Sequence, residues 1–261
     1  LKNPVAARSR PLRIFITGAS SGLGAALARH YGAQGAQLGL AGRRLEGLQA
    51  AAAGADARLY QADVRDAAAM RLAAEAYLQA VGAPDIVIAA AGISVGTLTE
   101  EAADMEVFRA VMDANVLGLV HTFQPFIAAM QSSGGVLCAI SSVAGVRGLP
   151  GGGAYSASKA AATVYLEALR LELKARGIAV VTVAPGYIDT PMTQVNPYAM
   201  PFKMTAQVAA AKVARCIVLR RAYTVIPWQM AWVARMLKCL PIPVYDLVFE
   251  KAPRKPRGLP T

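Results

Sequence analysis

The sequence is poor in charge, and poorer still in acid. Only 16% of its 261 residues are charged, with 16 Asp and Glu against 27 Lys and Arg. Because 55% of the residues are hydrophobic, a disordered chain is excluded and a sizeable core is available. Histidine is nearly missing. His30 and His121 are the only two, so a multi-histidine metal site is excluded and no metal is expected. Three cysteines, Cys138, Cys216 and Cys239, stand far apart. They offer neither a disulfide framework nor zinc spacing, and a reducing compartment is the simpler setting. No secretory pattern stands at the start, so a cytoplasmic protein is expected. A long apolar span is lacking too. Residues 114–146 carry no charge, but Asn115, His121, Gln124, Pro125 and a Ser-Ser-Gly-Gly turn at 132–135 interrupt them. They read as a buried helix followed by a buried strand at 136–140.

What the chain does have is short apolar runs in alternation with helical patterns. Runs at 12–17, 36–41, 58–62, 85–90, 136–140 and 178–184 read as strands. Helical spacing fills 67–81, most of 100–130, 154–176 and 205–221, and a last strand is expected at 222–226. Continuous apolar strands are those of a parallel sheet covered on both faces. Strict alternation with helices indicates an α/β, doubly wound parallel sheet. The length suits one large domain. The expected division is a flexible lead-in at 1–11, a catalytic domain at 12–227 and an apolar, basic helical extension at 228–261.

The chain is organised around its first strand and the turn after it. Gly18, Gly22 and Gly24 follow the apolar run within seven positions, and Leu23, Leu27 and Tyr31 then recur every four residues. Strand, glycine turn and helix offer backbone N–H groups and a helix N-terminus to a phosphate. Gly18 would permit the tight turn, Gly22 the approach of a pyrophosphate and Gly24 close packing of helix on strand. A plain βα connection is the alternative. Every other candidate residue also ends a strand: Arg43, Asp63, Gly92, Ser142 and Pro185-Gly186. In doubly wound sheets, ligands lie beyond those ends.

Tyr155 and Lys159 stand four apart in the long helix, which puts them on one face. A phenol is a poor base at its ordinary pKa of about 10. A neighbouring ammonium favours the phenolate, which would let Tyr155 exchange a proton with a substrate oxygen near neutral pH. Ser142 could hydrogen-bond the same oxygen. An amphipathic helix with a surface lysine is the alternative.

Taken together these motifs resemble the short-chain dehydrogenase/reductase family. Thr17-Gly18-Ala19-Ser20-Ser21-Gly22-Leu23-Gly24 is similar to its TGxxxGxG cofactor turn. Ala89-Ala90-Ala91-Gly92 resembles its NNAG element, with alanines in place of both asparagines. Asn115, Ser142, Tyr155 and Lys159 follow the order and spacing of its catalytic tetrad. Pro185-Gly186 with Thr190 is similar to its PGxxxT element. The resemblance covers 12–190 and implies a Rossmann-type fold. It also implies a hydride transfer between a nicotinamide cofactor and a carbonyl or secondary alcohol. Tyr155 would be the general acid/base, and Lys159 would lower its pKa and hold the nicotinamide ribose. Ser142 would orient the substrate oxygen, and Asn115 would hold a helix bend and a water leading to Lys159. Gly18, Ser20, Ser21, Gly22, Leu23 and Gly24 would cradle the phosphates. Asp63 and Val64 would meet the adenine, and Ala91 and Gly92 would pass close to the cofactor. Pro185, Gly186, Ile188 and Thr190 would line the nicotinamide end. A homodimer or homotetramer through the helices holding Asn115 and Tyr155 is implied as well.

Arg43 bears on the cofactor. NAD enzymes place an acid at the end of the second strand to accept from the ribose 2′-OH. Here Gly42 holds that place and Arg43 follows, and a guanidinium suits a 2′-phosphate. NADP(H) is therefore expected. The stretch 187–205 contains Met192, Met200, Phe202 and Met204, which suits a cover over an apolar carbonyl or alcohol. A non-catalytic NADP(H)-binding regulator on the same fold is the alternative. From residue 212 onward ten basic residues meet two acids, so most of the net charge of +11 sits in the last fifth. Without an aromatic-basic platform, a nucleic-acid partner is not expected. Trp228, Trp232 and Met236 beside Arg235 and Lys238 suit a membrane surface. A cap over the pocket or a dimer contact is the other reading.

Overall fold

The computed structural model describes residues 10–258. Residues 1–9 and 259–261, and with them most of the expected lead-in, lie outside the described residues. At Arg10 the chain is already tied down, by two hydrogen bonds to the Asp85 carboxylate at 2.8 and 3.0 Å.

Seven parallel strands form one sheet. In chain order the first half is β1 (Arg13–Thr17), α1 (Gly22–Gly32), β2 (Gln37–Gly42), α2 (Leu45–Ala52), β3 (Ala57–Gln61), α3 (Ala67–Val81) and β4 (Ile86–Ala89). Next come α4 (Asp104–Met112), α5 (Gly118–Met130), β5 (Gly135–Ile140), α6 (Gly153–Glu172) and β6 (Ile178–Pro185). The chain continues through β7 (Ile188–Asp189), α7 (Pro191–Gln194), β8 (Met204–Thr205), α8 (Ala206–Val218), β9 (Tyr223–Ile226), α9 (Trp228–Cys239) and α10 (Ile242–Phe249). The sheet order is β3-β2-β1-β4-β5-β6-β9. The order reverses between β1 and β4, and a doubly wound sheet opens its ligand crevice at such a point. The short β7 and β8 form a separate parallel pair.

The strands divide their side chains between two cores because successive residues point to opposite faces. Ile14, Ile16, Leu38, Leu40, Ile86 and Ile88 pack with Leu27 of α1, Leu48 of α2 and Val213 of α8. Phe15, Val87 and Leu137 face the other way, onto Met70 and Tyr77 of α3, Phe123 and Phe126 of α5 and Leu166 of α6. Each such side chain contributes about 1.5–3 kcal/mol of burial, so the two faces together hold the sheet between its helix layers. A third, small cluster of Val143, Met230 and Ala234 seats α9 at the end of β9.

Two segments differ from expectation. The helix expected through most of 100–130 is two helices joined by a π turn, Asp113–Leu117. The extra residue per turn there is a local widening that sequence periodicity does not register. The C-terminal basic stretch is not all solvated surface. The Pro256 carbonyl accepts from Gly96 N at 2.9 Å. Arg257 bonds the buried Asp104 at 2.8 and 3.3 Å and pairs with Glu101 at 3.3 Å.

Candidate active site

The glycine turn after β1 has the backbone its sequence implies. Gly18 has φ +70°, and a Cβ there would lie 2.6 Å from the Ala91 backbone. Only glycine lets the two strand-end turns, after β1 and after β4, pass this closely. A Cβ on Gly24 would strike the Gly18 carbonyl, so Gly24 lets the first turn of α1 close on the loop itself. Gly22 opens α1 with φ +54°, and a Cβ there would come within 3.3 Å of the Thr190 side chain. The turn after β1 and Thr190 beyond β6 thus face each other across the crevice. Helix α1 starts here without a side-chain cap, which leaves its first N–H groups available to an anion.

Ser20 lies beside the end of β2. A Cβ on Gly42 would stand 3.3 Å from Ser20 Oγ, and Gly47 of α2 packs on the Ser20 backbone. Arg43 and Arg44 follow, both exposed. A hydroxyl and two guanidinium groups therefore flank the end of β2. The Asp63 carboxylate, expected at the adenine, is forked by Arg65 at 2.7–3.1 Å. Burial opposes its charge, but the hydrogen bonds from Arg65 win and hold Asp63 below the ordinary carboxylate range. Val64 is buried, and His121 Nδ1 donates to its carbonyl at 2.8 Å.

Asn115 sits in the π turn and is 3% exposed. Its Oδ1 accepts from Ile93 N at 2.8 Å, and its Nδ2 donates to the Ile93 carbonyl and to Ser158 Oγ, both at 2.9 Å. The widened turn thereby stitches α4 and α5 to the loop after β4 and to α6. A Cβ on Gly92 would lie 2.9 Å from Asn115 Oδ1 and 3.5 Å from Lys159 Nζ. Asn115, Gly92 and Lys159 are in mutual reach only because residue 92 has no side chain.

Tyr155 and Lys159 occupy one face of α6, with Lys159 Nζ 5.8 Å from the centre of the Tyr155 ring. Lys159 is 6% exposed, and its ammonium donates to the Ile140 carbonyl at 2.9 Å. That carbonyl is its single hydrogen-bond partner among the described residues. Burial pushes the Lys159 pKa down to about 8. Ser142 caps the short turn Val143–Gly145 through Ala144 N at 3.1 Å, and its side chain lies near enough to Tyr155 to favour the phenolate. The expected pull of Lys159 on the tyrosine is corrected here. Burial raises the Tyr155 pKa, and the neighbouring Ser142 side chain opposes it. Lys159 spends its bond on Ile140 rather than on the phenol.

Pro185 ends β6 and is buried, as is Ile188. Thr190 starts α7 with Thr193 in a capping box. Gly186 carries the side chain of Met230, whose Cγ would lie 2.6 Å from a Cβ there. This contact brings α9 against the end of β6. The stretch 187–205 folds back through the β7–β8 pair, and its Tyr198 is within electrostatic reach of Tyr155. Sequence reasoning missed Ser158, His121 and Ile140. Ser158 had a signal, lying one turn after Tyr155 and beside Lys159. The Ile140 carbonyl had none. Among the described residues no cluster of His, Cys, Asp or Glu suits a metal ion.

The short chain dehydrogenase family model matches residues 13–199. An uncharacterized oxidoreductase of Myxococcus xanthus is 38% identical over 89% of this chain and 94% of its own. The mouse dehydrogenase/reductase SDR family member 7B is 35% identical over 68% of this chain and 58% of its own. Among solved structures, a Burkholderia cenocepacia short chain dehydrogenase in complex with NADP superposes with TM-score 0.81. It is 26% identical, covering 92% of this chain and 98% of its own. An alcohol dehydrogenase of Thermococcus sibiricus complexed with 5-hydroxy-NADP gives 0.74 at 25% identity, over 83% and 96%. The chain belongs to the short-chain dehydrogenase/reductase family and is an oxidoreductase of that family.

A nicotinamide dinucleotide fits the residues present. The glycines at 18, 24 and 92 let the strand-end turns and the start of α1 close together with their backbone bare of side chains, and among the described residues the buried Lys159 ammonium keeps N–H groups without an acceptor.

Proposed function

We propose that the protein is an NADP(H)-dependent reductase of carbonyl compounds, acting reversibly on secondary alcohols. The observation that carries this is the set on one side of the crevice, in which the half-buried Ser142 and Tyr155 side chains are neighbours and the buried Lys159 shares the helix face of Tyr155. The cofactor supplies a hydride to the carbonyl carbon. Tyr155 gives its phenolic proton to the oxygen, and Ser142 holds that oxygen in place. Lys159 binds the ribose hydroxyls through the N–H groups it does not spend on Ile140. Asn115 fixes the π turn and, through Ser158 and Ile93, the spacing of α6 from the loop after β4. Apolar residues of 187–205 cover the substrate, which suits an apolar carbonyl.

NADP(H) is preferred over NAD(H) because Ser20, Arg43 and Arg44 flank the end of β2 where NAD enzymes need a carboxylate. The two solved relatives, complexed with NADP and with 5-hydroxy-NADP, support the same choice. Exposed Phe108, Leu117, Val164 and Leu171 on α4 to α6 suit a contact with a second copy there.

The test is a panel of ketones and aldehydes followed by NADPH absorbance, with NADH in parallel and Tyr155→Phe as control. Wild type should turn over with a higher kcat/KM for NADPH, and Tyr155→Phe should lose about 10²–10⁴-fold in kcat. Equal inactivity of both proteins with intact NADPH binding would favour a non-catalytic nucleotide-binding role. Equal or better use of NADH would refute the cofactor assignment.

A further inference from the structure

The two C-terminal helices present an apolar face that nothing else in the described chain covers. Trp228, Trp232 and Met236 recur every four residues along α9, which aligns them on one side. They are 67%, 62% and 67% exposed. The opposite side of the same helix is the one that packs on the enzyme, through Met230 and Ala234. Helix α10 buries none of its residues, and its Leu247 is 79% exposed. Large apolar side chains exposed on two successive helices mark a candidate interaction site.

The face is held in place rather than frayed. Arg147 donates to the Leu237 and Leu240 carbonyls at 3.0 and 2.8 Å, at the end of α9. Its guanidinium also covers the Tyr245 ring of α10 at 4.2 Å. Beyond α10, Arg257 anchors the chain on Asp104.

Charge identifies the occupant. Arg235 and Lys238 on α9, and Lys251 and Arg254 just beyond α10, are exposed, and no ion pair joins any of them among the described residues. From 228 to 258 the chain holds six basic and two acidic residues. A second copy docking by two-fold symmetry would set this basic charge against itself. Separate exposed apolar residues on α4 to α6 already suit that contact. Tryptophan and aliphatic side chains accompanied by ammonium and guanidinium groups complement the acyl boundary and phosphates of an anionic bilayer. No helix among the described residues is long and apolar enough to cross a membrane, so the face would lie on the bilayer rather than span it.

We propose that α9 and α10 dock the enzyme on an anionic lipid surface. The sequence supplies its own probe, since Trp228 and Trp232 are the only two tryptophans in the chain. Intrinsic fluorescence and vesicle co-sedimentation are measured together. The vesicles are phosphatidylcholine alone, or phosphatidylcholine with phosphatidylserine. With the anionic vesicles the emission should shift to the blue and the protein should sediment. High salt should reverse both effects, and phosphatidylcholine alone should bind far less. Each of Arg235→Gln and Lys238→Gln should weaken partition about fivefold. Trp232→Gln combined with Met236→Gln should weaken it at least about tenfold. Val164→Gln on α6 should leave it unchanged.

No shift and no sedimentation with either vesicle would overturn the proposal. So would equal loss in Val164→Gln, or a blue shift without lipid that grows with protein concentration as light scattering reports a dimer. None of these readings depends on turnover, so failure here and failure of the reductase assignment are separable.

Discussion

Lys159 donates to the Ile140 carbonyl at 2.9 Å, joining α6 to the end of β5 through the residue on which the proposed proton transfer depends. The bond satisfies one N–H of an ammonium that is otherwise taken out of water. Burial without an anionic partner is why its pKa falls to about 8.

That burial makes Lys159 a stability liability. In the unfolded chain the amine titrates near its ordinary value of about 10.4, so below pH ~8 both states are charged and the folded state bears the full penalty. The drop corresponds to on the order of 3 kcal/mol, less about 1 kcal/mol for the bond to Ile140. Lys159→Met should abolish turnover yet raise Tm by a few degrees at pH 7. As pH rises from about 8 toward 10 the wild type recovers stability and the advantage should shrink. Thermal melts at several pH values check this. An unchanged or lower Tm at pH 7 would show that the buried charge is compensated.

Gly92 is placed so that a single methyl group tests the site without touching a reactive atom. In Gly92→Ala the new carbon would meet Asn115 Oδ1 at 2.9 Å, closer than packing allows, with Lys159 Nζ at 3.5 Å. Asn115 must then give up its bonds to Ile93 or shift the π turn. NADPH affinity, followed by fluorescence of the bound cofactor, should fall at least about tenfold, with far-ultraviolet dichroism unchanged. Unaltered affinity would mean that the loop after β4 relaxes independently of Asn115.

The parts legible in the sequence were those set by local rules. Helix α3 begins and ends where expected, because Asp66 accepts from Ala68 N and Ala69 N and Gly82 stops it at φ +89°. The doubly wound parallel sheet followed from the alternation of apolar strands and helices, although its strand order did not. Positive φ at Gly18 and Gly22 agrees with the reading of that loop as a phosphate cradle. What escaped was set by partners distant in the chain. Nothing local to Asn115 announces a π turn, which is held by bonds to Ile93 and Ser158. Nothing in the basic C-terminal run announces that Arg257 returns to Asp104, 153 positions earlier. The direction of the Tyr155 shift was misread for a similar reason. Spacing placed the amine near the phenol, but could not show the Ile140 carbonyl that accepts its hydrogen bond.

The return of Arg257 has a pH signature. Its hydrogen bonds, with the one from Leu98 N at 2.8 Å, hold the Asp104 carboxyl below the ordinary range. A depressed carboxylate contributes stability above its unfolded pKa of about 3.9 and loses it as pH falls through the folded value. Asp104→Asn should therefore lower Tm at neutral pH, and the gap to wild type should close only below pH ~4. A gap that persists at lower pH would assign the loss to packing rather than to charge.

Arg43 offers the sharpest separation between binding a dinucleotide and choosing one. Its side chain is exposed just past the end of β2, next in sequence to Gly42, which lies beside Ser20. A charge-assisted bond to a 2′-phosphate contributes about 1.5–3 kcal/mol. Arg43→Ala should then lower kcat/KM for NADPH by about 10- to 150-fold. NADH has no group at that place, so its kcat/KM should stay within about twofold of wild type. The loss should fall in KM rather than in kcat, because the contact is the same in ground and transition states. Arg44→Ala, the other guanidinium at that strand end, is measured alongside to divide the preference between the two. Equal losses with both cofactors would mean that Arg43 supports the turn itself, and the phosphate preference would have to lie with Ser20 or Arg44.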